Sequence, residues 1–222
     1  MFGGGVSMKY IKDPMSAFTH LIGVILSIIA VYSLVKKSYI IGSTLHVAAF
    51  AIFGTSLILL YLASTLYHII DRPKALSNIL HRIDHMMIFV LIAGTYTPIC
   101  LIPLRGTIGL TLLSIIWSVA IAGILFKIFW MNAPRWINTG IYIGMGWMIV
   151  IAIFPLIQTL SSVAILWLFA GGISYTLGAV IYGTKWPRIS SKWFGFHEIF
   201  HVFVLIGSFC HFIMMYQYVI LY

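Results

Sequence analysis

The chain has 222 residues, of which 62% are hydrophobic and only 8% are charged. Soluble domains average about 45–50% apolar and about 25% charged residues, so this chain has too few polar residues to cover a water-facing surface. The composition excludes a cytosolic enzyme, a disordered segment, a disulfide-rich secreted domain and a nucleic-acid-binding protein. The formal net charge of +9 comes from basic residues spread thinly between apolar runs, which is typical of membrane topology. The sequence therefore predicts an integral membrane protein.

Seven apolar stretches are each long enough to cross a bilayer as a helix. About 20 mainly apolar residues, rising about 1.5 Å each, span a hydrocarbon core about 30 Å thick. The predicted spans cover residues 15–35, 43–69, 80–103, 108–127, 135–155, 160–182 and 194–219. Turn and charge residues separate them, beginning with Lys36-Lys37-Ser38. The break at 158–162 is faint, which leaves a six-span alternative open.

The connections between spans are too short to fold alone. Residues 1–222 are therefore predicted to form one all-α domain, a seven-transmembrane helix bundle. Residues 1–12 are expected to be flexible, and residues 1–7 are typical of a segment added for expression, with Met8 as an alternative start. Five glycines are expected to allow close helix contacts: Gly140, Gly144, Gly171, Gly172 and Gly178.

The basic residues predict the orientation of the bundle. With seven spans, ten of the thirteen Lys and Arg residues lie on the same side as the N-terminus, and Lys36, Lys37 and Arg105 lie on the other. Lys and Arg concentrate in cytoplasmic loops. We therefore expect a cytoplasmic N-terminus, an outside C-terminus and a multi-pass location in the cell membrane.

Several ionisable side chains fall inside the predicted spans, where they are costly and usually functional. His197 and His201 are four residues apart and share one helix face, a spacing that suits two ligands of one zinc ion. His68 enters from the second span at matching depth and is the natural third ligand. Asp84 could bind or orient the water on such a metal, and Ser64 could donate a hydrogen bond to it or to an oxyanion. We predict His68, His197 and His201 as metal ligands and Asp84 and Ser64 as catalytic residues.

Other interpretations of these polar residues stay open. Residues 197–201 spell the H-E-x-x-H pattern of metalloproteases, in which Glu198 would be the general base, yet Glu198 could equally pair with Lys192 or Arg188. The histidines themselves could be interfacial groups bonded to backbone or lipid headgroups. Three other histidines are less suited to binding the metal. His20 is expected to be a partner of a ligand, and His211 a buried, hydrogen-bonded histidine. His46 is expected to lie at the far membrane face.

Four motifs carry a resemblance that extends from Asp13 to the C-terminus. They are Asp13-Pro-Met-Ser-Ala-Phe-Thr-His20; Ser64-Thr-Leu-Tyr-His68; Arg82-Ile-Asp-His85 with Ala93-Gly-Thr-Tyr-Thr-Pro98; and His197-Glu-Ile-Phe-His201 with His211. With these motifs the chain resembles haemolysin III, the bacterial branch of the progestin and adipoQ receptor family, which includes the adiponectin receptors. That family more often has Glu where Asp13 stands.

The resemblance implies seven helices, a cytoplasmic N-terminus and zinc held by His68, His197 and His201, with Asp84 in contact through water. Some relatives carry Gln in place of Glu198, which argues against an indispensable base there. The wider superfamily includes alkaline ceramidases, which look similar in the same Ser, Asp and three-His set and hydrolyse a lipid amide.

Three functions are therefore expected from different classes. The first is a zinc-dependent hydrolase of a lipid amide or ester, with membrane lipids as its partners. The second is a pore-forming cytolysin, as the family name suggests. The third is a receptor-like protein or regulator of membrane energetics, in which zinc is structural.

Overall fold

The computed structural model describes residues 11–70, 73–189 and 194–222, and every regular element in those ranges is helical. The elements are α1 (Pro14–Ile41), α2 (Thr44–Ile69), α3 (Lys74–Leu101), α4 (Thr107–Phe129), α5 (Arg135–Trp147), a 3₁₀ turn (Met148–Ala152), α6 (Ile153–Thr159), α7 (Ser162–Thr184), α8 (Phe196–Gln217) and a short 3₁₀ turn (Val219–Leu221). Seven spans among the described residues are long and apolar enough to cross a membrane. The predicted all-α, seven-helix class is confirmed, while the expectation for residues 1–12 concerns mostly residues outside the described ranges.

The break between the fifth and sixth spans is real, so the six-span alternative is wrong. Ser161 is the N-cap of α7, and its hydroxyl accepts a hydrogen bond from the Ala164 N–H at 3.2 Å. A serine in this position satisfies one of the free N–H groups at a helix start. This N-cap hydrogen bond starts a new helix at a place where the sequence shows only a faint break between two apolar runs.

The first helix is longer than predicted. Lys36 and Lys37, expected to mark its end, lie inside α1, which continues to Ile41. The chain turns at Gly42, whose φ of 78° is left-handed and therefore favours glycine. Two lysines at a membrane boundary do not stop a helix, because their side chains reach polar surroundings while the backbone stays bonded.

The fifth span contains an irregular turn that the sequence did not predict. Between α5 and α6 the chain forms a 3₁₀ turn, which frees backbone groups inside the bundle. The Tyr96 hydroxyl satisfies two of them: it donates to the Gly146 carbonyl at 2.7 Å and accepts from the Ile149 N–H at 2.7 Å. A side chain of α3 thus stabilises a break in its neighbour.

The helices pack in an order that places α2, α3 and α8 around a shared interior. α1 packs on α2 and α8, α2 on α3, α3 on α4 and α5, and α7 on α5 and α8. Large apolar side chains such as Phe53 and Phe89 are fully buried, whereas Ile25, Ile29 and Leu166 face outward, as a lipid-facing surface requires.

The predicted glycine contacts divide into two groups. A Cβ at Gly171 would lie 2.6 Å from His211 Nε2, and one at Gly178 would lie 2.9 Å from Phe203 Cβ, so both glycines allow α7 to approach α8 closely. Gly140, Gly144 and Gly172 face open space. Close contact at those three positions was predicted wrongly, because small-residue spacing does not show which face of a helix meets a neighbour.

Candidate metal centre

The fold brings His68, His197 and His201 together at one end of the bundle. His68 comes from the last turn of α2, and the other two come from the first turns of α8. One ring nitrogen of each histidine lies within 4.8 Å of the others. His201 and His68 are almost fully buried, with exposures of 1% and 3%. The predicted ligand set is thus a group that can hold a metal ion.

One pair of donor atoms has the spacing expected around a tetrahedral ion. His68 Nε2 and His197 Nε2 are 3.2 Å apart. Zn–N bonds of about 2.0–2.1 Å at tetrahedral angles place two nitrogens about 3.3 Å from each other. Two imidazole lone pairs facing one another at this distance repel unless a cation or a proton lies between them. Three imidazoles are also a donor set that suits zinc among other transition metals.

Asp13 orients the first of these histidines. Its Oδ2 lies 3.1 Å from His68 Nδ1, on the ring nitrogen opposite the metal-facing one. The hydrogen bond to His68 holds the pKa of the Asp13 carboxyl group below its usual value, so the carboxylate is ionised at neutral pH. A carboxylate that binds Nδ1–H leaves the Nε2 lone pair free for a metal. Asp13 precedes α1 but makes no side-chain cap bond to it, and its carboxylate contacts His68 instead.

Thr19 has the same relationship to the third histidine. The Thr19 hydroxyl donates to the Ser16 carbonyl at 2.9 Å, and its oxygen lies 3.2 Å from His201 Nδ1. Because the hydroxyl proton is already used, Nδ1 of His201 is the donor in this contact, which leaves its Nε2 unprotonated. The ring of His20 stacks on the ring of His201, with centroids 3.5 Å apart.

The role of Glu198 differs from that of a metalloprotease base. One carboxylate oxygen accepts the N–H of Gly195, the N-cap residue of α8, at 2.8 Å, and the other accepts the Ser16 hydroxyl at 2.5 Å. Glu198 thus satisfies a backbone N–H at the start of α8 and links this helix to α1. The alternative pairing with Arg188 is not seen, and Lys192 lies outside the described residues.

The two predicted catalytic residues lie in the wall of a cavity that also contains the three histidines. Asp84 and Ser64 both line this cavity, and Asp84 is not in the group of closest donor atoms. The cavity has a volume of about 470 Å³ and extends to His211, ten residues beyond His201 and thus about 15 Å along α8. Most of the cavity wall is apolar and includes Ile88, Leu91, Ile92, Ile99, Leu168 and Val204.

The remaining histidines lie away from the metal group. His46 bonds the Ser43 hydroxyl at the start of α2, at the far membrane face. His211 stacks on Tyr175 with ring centroids 5.6 Å apart, but its Nδ1 has no hydrogen-bond partner among the described residues. The predicted hydrogen bond from His211 to a neighbouring helix is therefore absent at that atom, and packing against Gly171 holds the ring instead.

Sequence reasoning missed the roles of Asp13 and Thr19. Both residues belong to the first sequence motif, but neither was predicted to contact a metal-binding histidine. The signal available was their common position near the start of α1, at the same membrane level as the three histidines. Which ring nitrogen each side chain reaches depends on how α1 packs against α2 and α8.

The chain is similar to known proteins over most of its length. Residues 8–212 match the family described as "Haemolysin-III related". The chain is 46% identical over 202 residues to the "Hemolysin-3 homolog" of Bacillus subtilis (strain 168), covering 90% of this chain and 92% of that protein. It is 44% identical over 201 residues to "Hemolysin-3" of Bacillus cereus, covering 90% and 89%. It is also 24% identical over 173 residues to the human "Monocyte to macrophage differentiation factor", covering 75% and 68%.

The two Bacillus relatives match over nearly the full length of both chains, and the seven spans give the protein a multi-pass location in the bacterial cell membrane. The chain belongs to the haemolysin III family.

Proposed function

We propose that this protein is a membrane-embedded, zinc-dependent hydrolase of a lipid amide or ester. The observation that supports this most strongly is the position of the three histidines in the wall of a mostly apolar cavity. An acyl chain would occupy the apolar part, which places the amide or ester bond beside the histidines. The three histidines lie at the end of the bundle that the basic residues predict to be cytoplasmic.

Each residue of the site has a distinct task in this proposal. His68, His197 and His201 would hold the ion, and Asp13 and Thr19 keep the Nδ1 protons of two of these ligands in place. Zinc supplies polarisation of a carbonyl group and a lowered pKa of water.

Asp84 and Ser64 would act next to the amide or ester bond that is hydrolysed. An Asp84 carboxylate oxygen would accept the proton of the attacking water and pass it to the leaving nitrogen or oxygen. The Ser64 hydroxyl would donate a hydrogen bond to the carbonyl oxygen as that oxygen gains charge.

The test is hydrolysis by the purified full-length protein in lipid nanodiscs, with metal content measured on the same samples. We expect metal-loaded wild type to release fatty acid from at least one member of a lipid amide and ester panel. Asp84→Asn should lower this rate at least about 100-fold while retaining the metal, since Asp84 is outside the ligand group. Ser64→Ala should also lower the rate, because it removes the hydroxyl that would bond the carbonyl oxygen. Ser56→Ala, at another buried serine in α2, is its matched control. No release from any lipid by metal-loaded wild type would overturn the proposal.

A structural role for the metal is the second candidate. The ligands come from α2 and α8, two helices that both pack on α1, so an ion would cross-link them. In this case removal of the metal with a chelator lowers the unfolding temperature strongly, and Asp84→Asn has no effect on any activity. In the hydrolase, chelation abolishes turnover while the helical content stays unchanged.

The name of the Bacillus cereus relative raises lysis of cells as a further activity to test. Lysis that results from lipid hydrolysis disappears in His68→Ala and in Asp84→Asn. Lysis by pore formation persists in Asp84→Asn, and this result would favour the cytolysin over the hydrolase.

A further inference from the structure

A histidine deep in the bundle lines the cavity with part of its hydrogen-bonding capacity unused. His211 is 5% exposed, lies in the cavity wall, and its Nδ1 has no hydrogen-bond partner among the described residues. Leaving a buried polar group of this kind unpaired is costly. His20 and His85 also have unpaired ring nitrogens, but they lie at the metal end of the cavity, where their rings are near those of His201 and Tyr182. His211 therefore calls for a polar partner at the opposite end.

The ring of His211 is held in place by its neighbours. It stacks on the Tyr175 ring, with centroids 5.6 Å apart and 20° between the planes, and Gly171 leaves the space that its Nε2 edge needs. Tyr175 is itself fixed, because its hydroxyl lies 2.8 Å from Ser208 Oγ, which lies 2.6 Å from the Tyr61 hydroxyl. A polar group that is already positioned lowers the entropy cost of binding a ligand.

Two threonines of the same cavity wall have no proton to offer a ligand. The Thr95 hydroxyl donates to the Leu91 carbonyl at 2.8 Å, and the Thr176 hydroxyl donates to the Gly172 carbonyl at 2.7 Å. The Thr176 oxygen also accepts the indole N–H of Trp147 at 3.0 Å. These side chains satisfy their protons within their own helices, so they do not replace the partner that His211 lacks.

The distance between the two ends of the cavity corresponds to a medium-length acyl chain. His201, Val204 and His211 all line the cavity from one face of α8, because helical spacings of three and seven residues keep side chains on the same side. At a rise of about 1.5 Å per residue, His211 lies about 15 Å beyond His201 along the helix. Carbon–carbon bonds of about 1.5 Å in a zigzag advance about 1.25 Å each, so about 12 bonds cover this distance.

We propose that the end of the cavity at His211 is a second polar site, which binds a hydroxyl group near the far end of a lipid acyl chain. This inference rests on the proposed lipid site and adds the class of acyl chain. A hydroxyl group both donates and accepts, so it pairs with Nδ1 of His211 in either tautomer of the ring. A carboxylate would need a positive group beside it, and Tyr175, Ser208 and Gly171 provide none. A plain acyl chain would leave Nδ1 unpaired.

Binding of ligands that cannot be hydrolysed, measured on the purified, metal-loaded full-length protein, tests this site. The probes are tridecan-2-one, which has a carbonyl group but no amide or ester bond, and two isomers with one added hydroxyl group. One isomer carries the hydroxyl at the end of the chain, about 12 bonds from the carbonyl carbon, and the other carries it in the middle. Both hydroxyl groups lose their hydration on entering the cavity, so the ratio of the two affinities reports what the hydroxyl meets there.

We expect wild type to bind the end-hydroxyl isomer at least about fivefold more tightly than the mid-chain isomer, because only the former pairs with the buried imidazole. His211→Leu should bind both isomers equally and keep its affinity for tridecan-2-one. His46→Leu, the same change at a buried histidine of α2 that does not line the cavity, is the matched control and should keep the preference.

Equal affinity of the two isomers in wild type would mean that water alone pairs with His211, and it overturns the inference. A preference that persists in His211→Leu overturns it as well. The comparison in wild type needs no variant, so it decides the question even where His211→Leu does not fold.

The outcome is independent of turnover, because the ketones are not substrates of a hydrolase. A protein that prefers the end-hydroxyl isomer but hydrolyses no lipid supports the second polar site and overturns the proposed hydrolase. A protein that hydrolyses lipids but binds both isomers equally does the reverse.

Discussion

The Asp13 carboxylate lies 3.1 Å from Nδ1 of His68, and this contact joins the residue before α1 to the last turn of α2. The backbone strengthens the link, because the Asp13 N–H donates to the His68 carbonyl at 2.9 Å. Asp13 is thereby fixed at a place where its charge acts on a candidate metal ligand. A segment that looks like a helix start in the sequence is part of the candidate metal centre.

Removing the Asp13 side chain should weaken metal binding. We expect Asp13→Ala to lower zinc affinity about 10- to 100-fold, because a carboxylate on the second ring nitrogen orients the ligand and raises its basicity. Asp13→Asn keeps a hydrogen-bond acceptor and should lose less. Competition with a chelator of known affinity measures both. His46→Gln, at the far end of α2, is the control and should bind zinc as wild type does; equal affinity in Asp13→Ala and wild type would show that Asp13 has no role in binding.

Thr19 should contribute to zinc affinity through His201, as Asp13 does through His68, but by a smaller factor. Thr19→Val keeps the shape and removes the hydroxyl, and we expect about a 3- to 10-fold loss of zinc affinity, since one neutral hydrogen bond contributes about 0.5–1.5 kcal/mol. Thr19→Ser restores the hydroxyl and should restore the affinity. The same chelator competition applies. Equal loss in the valine and serine variants would point to packing instead.

Two glycines provide a matched test of the packing between α7 and α8. Gly171→Ala places a Cβ 2.6 Å from His211 Nε2, and overpacking of this kind destabilises by about 1–3 kcal/mol. Gly140→Ala adds the same methyl group where nothing lies within 4 Å, and should change stability by no more than about 0.5 kcal/mol. Thermal unfolding in detergent compares the two. Similar unfolding temperatures for both variants would contradict the contact.

The Tyr96 hydroxyl should stabilise the irregular turn of the fifth span. Tyr96→Phe leaves the Ile149 N–H and the Gly146 carbonyl without this partner, and we expect a loss of about 1–3 kcal/mol in unfolding free energy. Tyr32→Phe, on the outer face of α1, should have almost no effect. Denaturant titration of both variants measures the difference, and equal stability of the two would mean that the turn does not depend on Tyr96.

The sequence was enough to predict the features that depend on composition and spacing. Seven apolar runs gave seven spans, and the four-residue spacing of His197 and His201 placed both on one helix face at the level of His68. Helix ends were harder, because α1 continues through Lys36 and Lys37 until Gly42 turns the chain. Tertiary contacts were beyond reach: the Tyr96 bond to α5, the open space at Gly140 and the hydrogen bonds of Asp13 and Thr19 all depend on how helices face each other.

Metal analysis of the purified protein tests most directly whether His68, His197 and His201 form one metal site. We expect one zinc ion per chain in wild type and in the control His46→Gln, whose histidine lies at the far end of α2. His201→Gln should lose the metal, with its helical content checked by circular dichroism. A wild type without bound metal, or equal metal content in wild type and His201→Gln, would contradict the claim.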